Sequence, residues 1–161
     1  MAQAVEGFIR KVGVTAGLFN FVLNPLFAWV GNMAMADVPL TGIAVDTAIT
    51  CILMSLLVAL FISPETRRAL EAGILDAAGQ PSTRAGRLLR HLPARPWKLG
   101  LLLGLAAAAV VTPCLVGFFT VLGVTSLSFF AFALLKAIYT PLLAYAVARW
   151  VILRHLAAVV A

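Results

Sequence analysis

Four apolar stretches constrain this chain more than anything else in it. Residues about 12–34, 42–63, 99–122 and 127–150 are each long enough to cross a bilayer core, which takes roughly 20 mostly apolar residues. They are continuous and rich in Leu and Ala, unlike the alternating ten-residue strands of an outer-membrane barrel. The expected fold is therefore an all-α membrane protein, one membrane domain over residues 1–161. Its four transmembrane helices would form two hairpins joined by an amphipathic basic connection, 64–98. With 63% apolar and 11% charged residues, the chain has too few polar groups to cover a water-soluble domain.

Basic residues set the expected orientation, because Lys and Arg in short loops mark the cytoplasmic side. Arg10 and Lys11 precede the first span; Arg67, Arg68, Arg84, Arg87, Arg90, Arg95 and Lys98 fill the long connection; Arg149 and Arg154 close the chain. The other two connections, GNMAMADVPLT and LGVTS, carry none, so both termini are expected in the cytoplasm. No A-x-A cleavage site follows the first apolar stretch, which reads as an uncleaved helix and not a signal peptide. Trp97 and Trp150 fall at the inner boundary and Trp29 near the outer one, as interfacial anchors. Cys51 and Cys114 lie in the second and third spans without a C-x-x-C spacing, and buried thiols are the expectation for both.

The connection opens on Ser63 and Pro64, suited to an N-cap and first helical position, so a new helix is expected there. Leu70, Ile74, Leu75 and Ala78 recur at helical spacing up to Gly79 and Pro81. Leu88, Leu89 and Leu92 then oppose Arg84, Arg87, Arg90 and His91. Two readings stand side by side: a short amphipathic segment on anionic lipid headgroups, or a solvated linker. The net charge of +6 points to lipid and not to nucleic acid, because no nucleic-acid-binding motif surrounds the basic residues.

An offset of 87 residues superposes Lys11 on Lys98, Gly13 on Gly100, Gly17 on Gly104, Leu40 on Leu127, Thr41 on Ser128 and Arg67 on Arg154. Basic anchor, G-x-x-x-G, outer turn and basic exit recur in one order. A duplicated two-helix unit keeps its orientation, so the expectation is a tandem parallel repeat about an axis along the membrane normal.

Gly13, Gly17, Gly100 and Gly104 are expected at close helix contacts, within one chain or between protomers. Pro25, Pro113 and Pro141 sit inside spans, where each removes a backbone hydrogen bond. Asp46 and Lys136 stand out, since an ionised group in hydrocarbon costs at least ~2.5 kcal/mol. Counted from the outer turn, they differ in depth by roughly 6 Å, a gap a lysine side chain spans, and an intramembrane ion pair is expected. The competing reading has Asp46 capping its helix and Lys136 snorkelling alone. Asn20 with Asn24, Asp46 with Thr50, and Lys136 with Thr140 repeat at i, i+4 on three helices. Facing inward, they would either line an outward-open pocket for a small anion or a proton path, or simply hydrogen-bond between helices.

No enzyme signature appears, and no metal or cofactor is expected. His91 and His155 lack a second ligand at metal spacing and read as surface residues. Ser126 and Ser128 have no G-x-S-x-G context and read as N-caps. No phosphate-binding glycine loop occurs.

The outer turn leading into SLSF at Ser126–Phe129, the lysine at 136 and the aspartate at 46 after VPL resemble small uncharacterised four-helix inner-membrane proteins of bacteria. That resemblance spans both halves and implies a bacterial inner-membrane location, with no activity attached. Two functions remain: a transporter or channel protomer for a small solute or ion, working as a homo-oligomer, or a non-catalytic scaffold or accessory subunit beside a membrane partner.

Overall fold

The computed structural model describes residues 2–32, 36–75, 89 and 91–159. The elements are α1 (Ala2–Asn32), β1 (Asp37–Pro39), α2 (Leu40–Glu71), α3 (Pro96–Val121), β2 (Ser126–Ser128) and α4 (Phe129–Val159). All four helices are long and apolar enough to cross a membrane. Helix is the natural answer to such sequences, because a segment in lipid must satisfy its own backbone hydrogen bonds. Arg84, Arg87 and Arg90 lie outside the described residues.

Several helix ends depart from expectation. No new helix starts at Ser63: α2 runs through Pro64 to Glu71. Proline costs that helix one backbone donor, a loss that packing against neighbouring helices tolerates. The stop comes at Gly73 rather than Gly79. Gly73 takes a positive φ of 69°, its N–H donates to Leu70 O and the N–H of Ile74 donates to Ala69 O, a Schellman closure. The same closure ends α3, with Gly123 at φ 70° and the N–H groups of Gly123 and Val124 donating to Thr120 O and Phe119 O. Leu75 and Leu89 are buried, and Leu92 packs against the core, so the described part of the connection covers the bundle end.

The turns joining α1 to α2 and α3 to α4 hold a feature absent from the sequence reading, a two-stranded antiparallel ribbon. Val38 sits opposite Leu127, flanked by Asp37 with Ser128 and Pro39 with Ser126. The N–H of Leu40, first in α2, donates to Thr125 O, and the N–H of Phe129, first in α4, donates to Ala36 O. Each strand thereby caps the other's helix. Ser128 also accepts from the Ala131 N–H at 3.3 Å, the N-cap role expected of it.

Helix partnerships are exchanged relative to two packed hairpins. α1 lies along α4, α3 lies along α2, and α2 against α4 joins the pairs; α1 barely touches α2, and α3 barely touches α4. The glycines explain the choice. A Cβ on Gly100 would fall 2.7 Å from Leu56 Cα, and one on Gly104 2.7 Å from Ile52 Cα. A Cβ on Gly13 would meet the Tyr145 ring at 2.6 Å, and one on Gly17 the Pro141 carbonyl at 3.3 Å. All four glycine contacts are thus made within one chain.

These contacts match between the halves. Gly17 against Pro141 answers to Gly104 against Ile52, and Gly13 against Tyr145 to Gly100 against Leu56. The offset is 87 residues for the glycines and 89 for their partners, and 89 also relates the two crossed backbone hydrogen bonds of the ribbon. Leu40 and Thr41 therefore answer to Phe129 and Phe130, not to Leu127 and Ser128.

Outward, the helices present Phe19, Phe27, Phe61, Val110, Phe130 and Leu142 among many large apolar side chains, the surface lipid requires. Cys51 is buried, but Cys114 is exposed on this outer face, where α3, touching one neighbour closely, leaves most of its circumference open.

Gly100→Ala and Gly104→Ala should each destabilise the purified protein by ~1–3 kcal/mol, the usual cost of overpacking. Gly7→Ala, which meets nothing within 4 Å, should be neutral or slightly stabilising. Thermal unfolding in detergent checks this; equal stability of Gly7→Ala and Gly104→Ala contradicts the close α2–α3 approach.

Candidate functional site

α2 and α4 start together at the ribbon, which fixes the levels of everything below it. Asp46 comes six residues after Leu40 and Lys136 seven after Phe129, a depth difference of about 1.5 Å. The roughly 6 Å offset expected from the sequence is thereby corrected. Its error lay in where the helices begin, which cross-strand pairing decides.

The two side chains meet. Lys136 Nζ donates to Asp46 Oδ2 at 2.6 Å and to Thr50 Oγ1 at 3.0 Å, while Thr50 Oγ1 makes a long 3.4 Å bond to Asp46 Oδ2. The Phe132 ring lies under the ammonium, 5.5 Å from Nζ to its centroid, a cation–π contact strengthened by desolvation. Burial is unequal. Lys136 is 2% exposed, whereas the Asp46 side chain is 30% exposed, so the pair is sealed at its cation and open at its anion.

The polar stripes do not converge on one pocket. Asn24 Nδ2 donates to Asn20 Oδ1 at 2.8 Å, and Asn20 Nδ2 donates to Ala16 O at 2.8 Å. Both amides are thus satisfied along α1. Thr140 Oγ1 donates to Lys136 O at 2.7 Å, within its own helix, and stands 3.3 Å from the Asn20 carbonyl across the α1–α4 contact. Only Thr50 of these four residues touches the ion pair.

Residues that the i, i+4 pattern passed over complete the cluster. Tyr139, one turn beyond Lys136, turns its phenol toward Thr47 and Thr50, with Asp46 and Cys51 close by. Tyr139 OH and Thr47 Oγ1 are both buried and make no hydrogen bond of good geometry, although the phenol lies close enough to Thr47 and Thr50 to interact with either. The available signal was an i+3 relation to Lys136 for Tyr139 and adjacency to Asp46 for Thr47. Among the described residues no three His, Cys, Asp or Glu side chains gather to hold a metal ion. What the cluster can do is hold a charge pair whose ammonium and two hydroxyls retain capacity for a further acceptor or a migrating proton.

His91 is exposed, but His155 is 8% exposed, buried where α4 ends instead of on the surface. The helix runs on past Trp150, and its last turns pack with the core.

No protein-family model, curated protein or solved structure matches this chain.

Asp46→Ala should destabilise more than Lys136→Ala, because it strands a sealed ammonium, whereas the reverse leaves a carboxylate partly open to its surroundings. Losing one member of a buried pair typically costs ~3–5 kcal/mol, and Lys136→Ala should fall below that range. The double variant should be less destabilised than the sum of the singles. Unfolding of the three variants tests it, and strict additivity means the contact carries no coupling.

Proposed function

We propose that this chain is a small polytopic inner-membrane protein that moves a proton or small ion through its Asp46–Lys136 centre. The reading rests on one observation: a charge pair between two membrane-length helices, sealed at the lysine and open at the aspartate. An incoming anion would take the ammonium from Asp46, and a proton taken up by Asp46 would keep the charge balanced.

The matched glycine and ribbon contacts support a tandem duplication of an α-β-α unit, with both termini in the cytoplasm as the basic residues direct. The basic connection, with Arg84, Arg87 and Arg90, would lie against anionic headgroups. A homo-oligomer would have to use a surface other than the G-x-x-x-G faces, which are occupied within the chain. The scaffold or accessory-subunit reading draws on the Asn20–Asn24 stripe, whose amides are satisfied on their own helix.

Proteoliposomes loaded with a pH-sensitive dye and given a valinomycin-set potassium potential test the transport reading. Wild type should acidify or alkalinise faster than empty vesicles. Lys136→Met should lose ~100-fold or more, the lower end for removing a positioned proton-transfer group. Repeating the assay under a chloride gradient covers an anion. No flux from folded wild type under either gradient leaves the scaffold reading.

A further inference from the structure

At the bundle end away from the ribbon, α4 carries a buried cation that pairs with no carboxylate among the described residues. Arg154 is 7% exposed, and its Nε donates to Leu92 O at 2.8 Å. The described residues contain two salt bridges, Lys136 with Asp46 and Arg149 with Glu6; Arg154 is in neither. Next to it His155, also more than nine-tenths buried, has an Nε2 with no hydrogen-bond partner. Arg67, exposed near the end of α2, is close enough to act electrostatically on the same imidazole.

A buried charge normally demands a partner of opposite sign. The carbonyl of Leu92 takes one of five guanidinium N–H donors. What suits the rest is an oxyanion with several acceptors, for which the planar fork of arginine is adapted.

Position selects the source. Trp150 is one turn before Arg154, and Trp97 begins α3 just after the segment containing Leu92; both are exposed. Exposed tryptophans of spanning helices sit at headgroup level, where basic pockets between helix ends recognise anionic lipids. We propose that Arg67, Arg154 and His155 form a phosphate site that holds the headgroup of an anionic phospholipid. It lies at the opposite end of α4 from Lys136 and is independent of any transport by the Asp46–Lys136 centre.

Unfolding midpoints of the purified protein in neutral-detergent micelles test this, with phosphatidylglycerol, phosphatidylcholine or inorganic phosphate added. Phosphatidylglycerol should raise the wild-type midpoint by a few degrees and phosphatidylcholine should not. Arg154→Gln and Arg67→Gln should lose most of that rise, Arg154→Lys should recover part of it, and Arg10→Gln, which removes the same charge elsewhere, should keep it. Should Arg154→Gln fail to fold, the exposed Arg67 decides alone. An equal rise in Arg67→Gln, Arg154→Gln and Arg10→Gln reflects bulk charge and overturns the site. An Arg154-dependent rise with inorganic phosphate and none with phosphatidylglycerol overturns the lipid assignment.

Discussion

Hydrocarbon offers no hydrogen bonds, and that deficit shapes the molecule from its backbone outward. Four long helices meet it along their length, and their ends meet it by three different devices. The Schellman closures at Gly73 and Gly123 return terminal N–H groups to the last helical carbonyls. The ribbon lends each strand's backbone to the start of the other half's helix. Arg154 reaches back to the Leu92 carbonyl. Where side chains rather than backbone carry the polarity, the same deficit pushes Lys136, Asp46 and Thr50 together.

Much of this could be read from residue types, because lipid penalises polarity so heavily that every exception is conspicuous. The four spans follow from apolar length alone. Asp46 and Lys136 stand out as charges, and their contact follows from their comparable distances from the outer turns. What could not be read was set by longer-range contacts. Three-residue strands such as Ser126–Ser128 leave no periodic signal, yet they fix the level of both inner helices. Pro64 and Ser63 look like a helix start in isolation, and packing carries the helix through them. Which helix each glycine face meets is invisible in a spacing shared by many membrane helices. Tyr139 carries no signal in the sequence beyond its i+3 spacing from Lys136.

The charged centre departs from the matched contacts around it. By the offset that relates Ile52 to Pro141 and Leu56 to Tyr145, Asp46 answers to Leu135 and Lys136 to Thr47. Thr47 and Lys136 are both buried at the α2–α4 contact, so equivalent positions hold a hydroxyl on one side and an ammonium on the other. Packing tolerates two similar halves; a single cation with a single anion cannot be shared equally between them. The charged layer is thus asymmetric, while the glycine contacts keep their correspondence.

The exchange of partners between the halves bears on how the molecule is made. A chain threaded into the bilayer from its amino terminus delivers α1 long before α4, the helix against which its glycine face closes. Until α4 follows, the first span waits with that face against lipid. α2 is completed by α3 in the meantime, and α4 then closes on both α1 and α2. Packing of these four helices is therefore completed only by α4, and a product cut short before it leaves α1 without a seat.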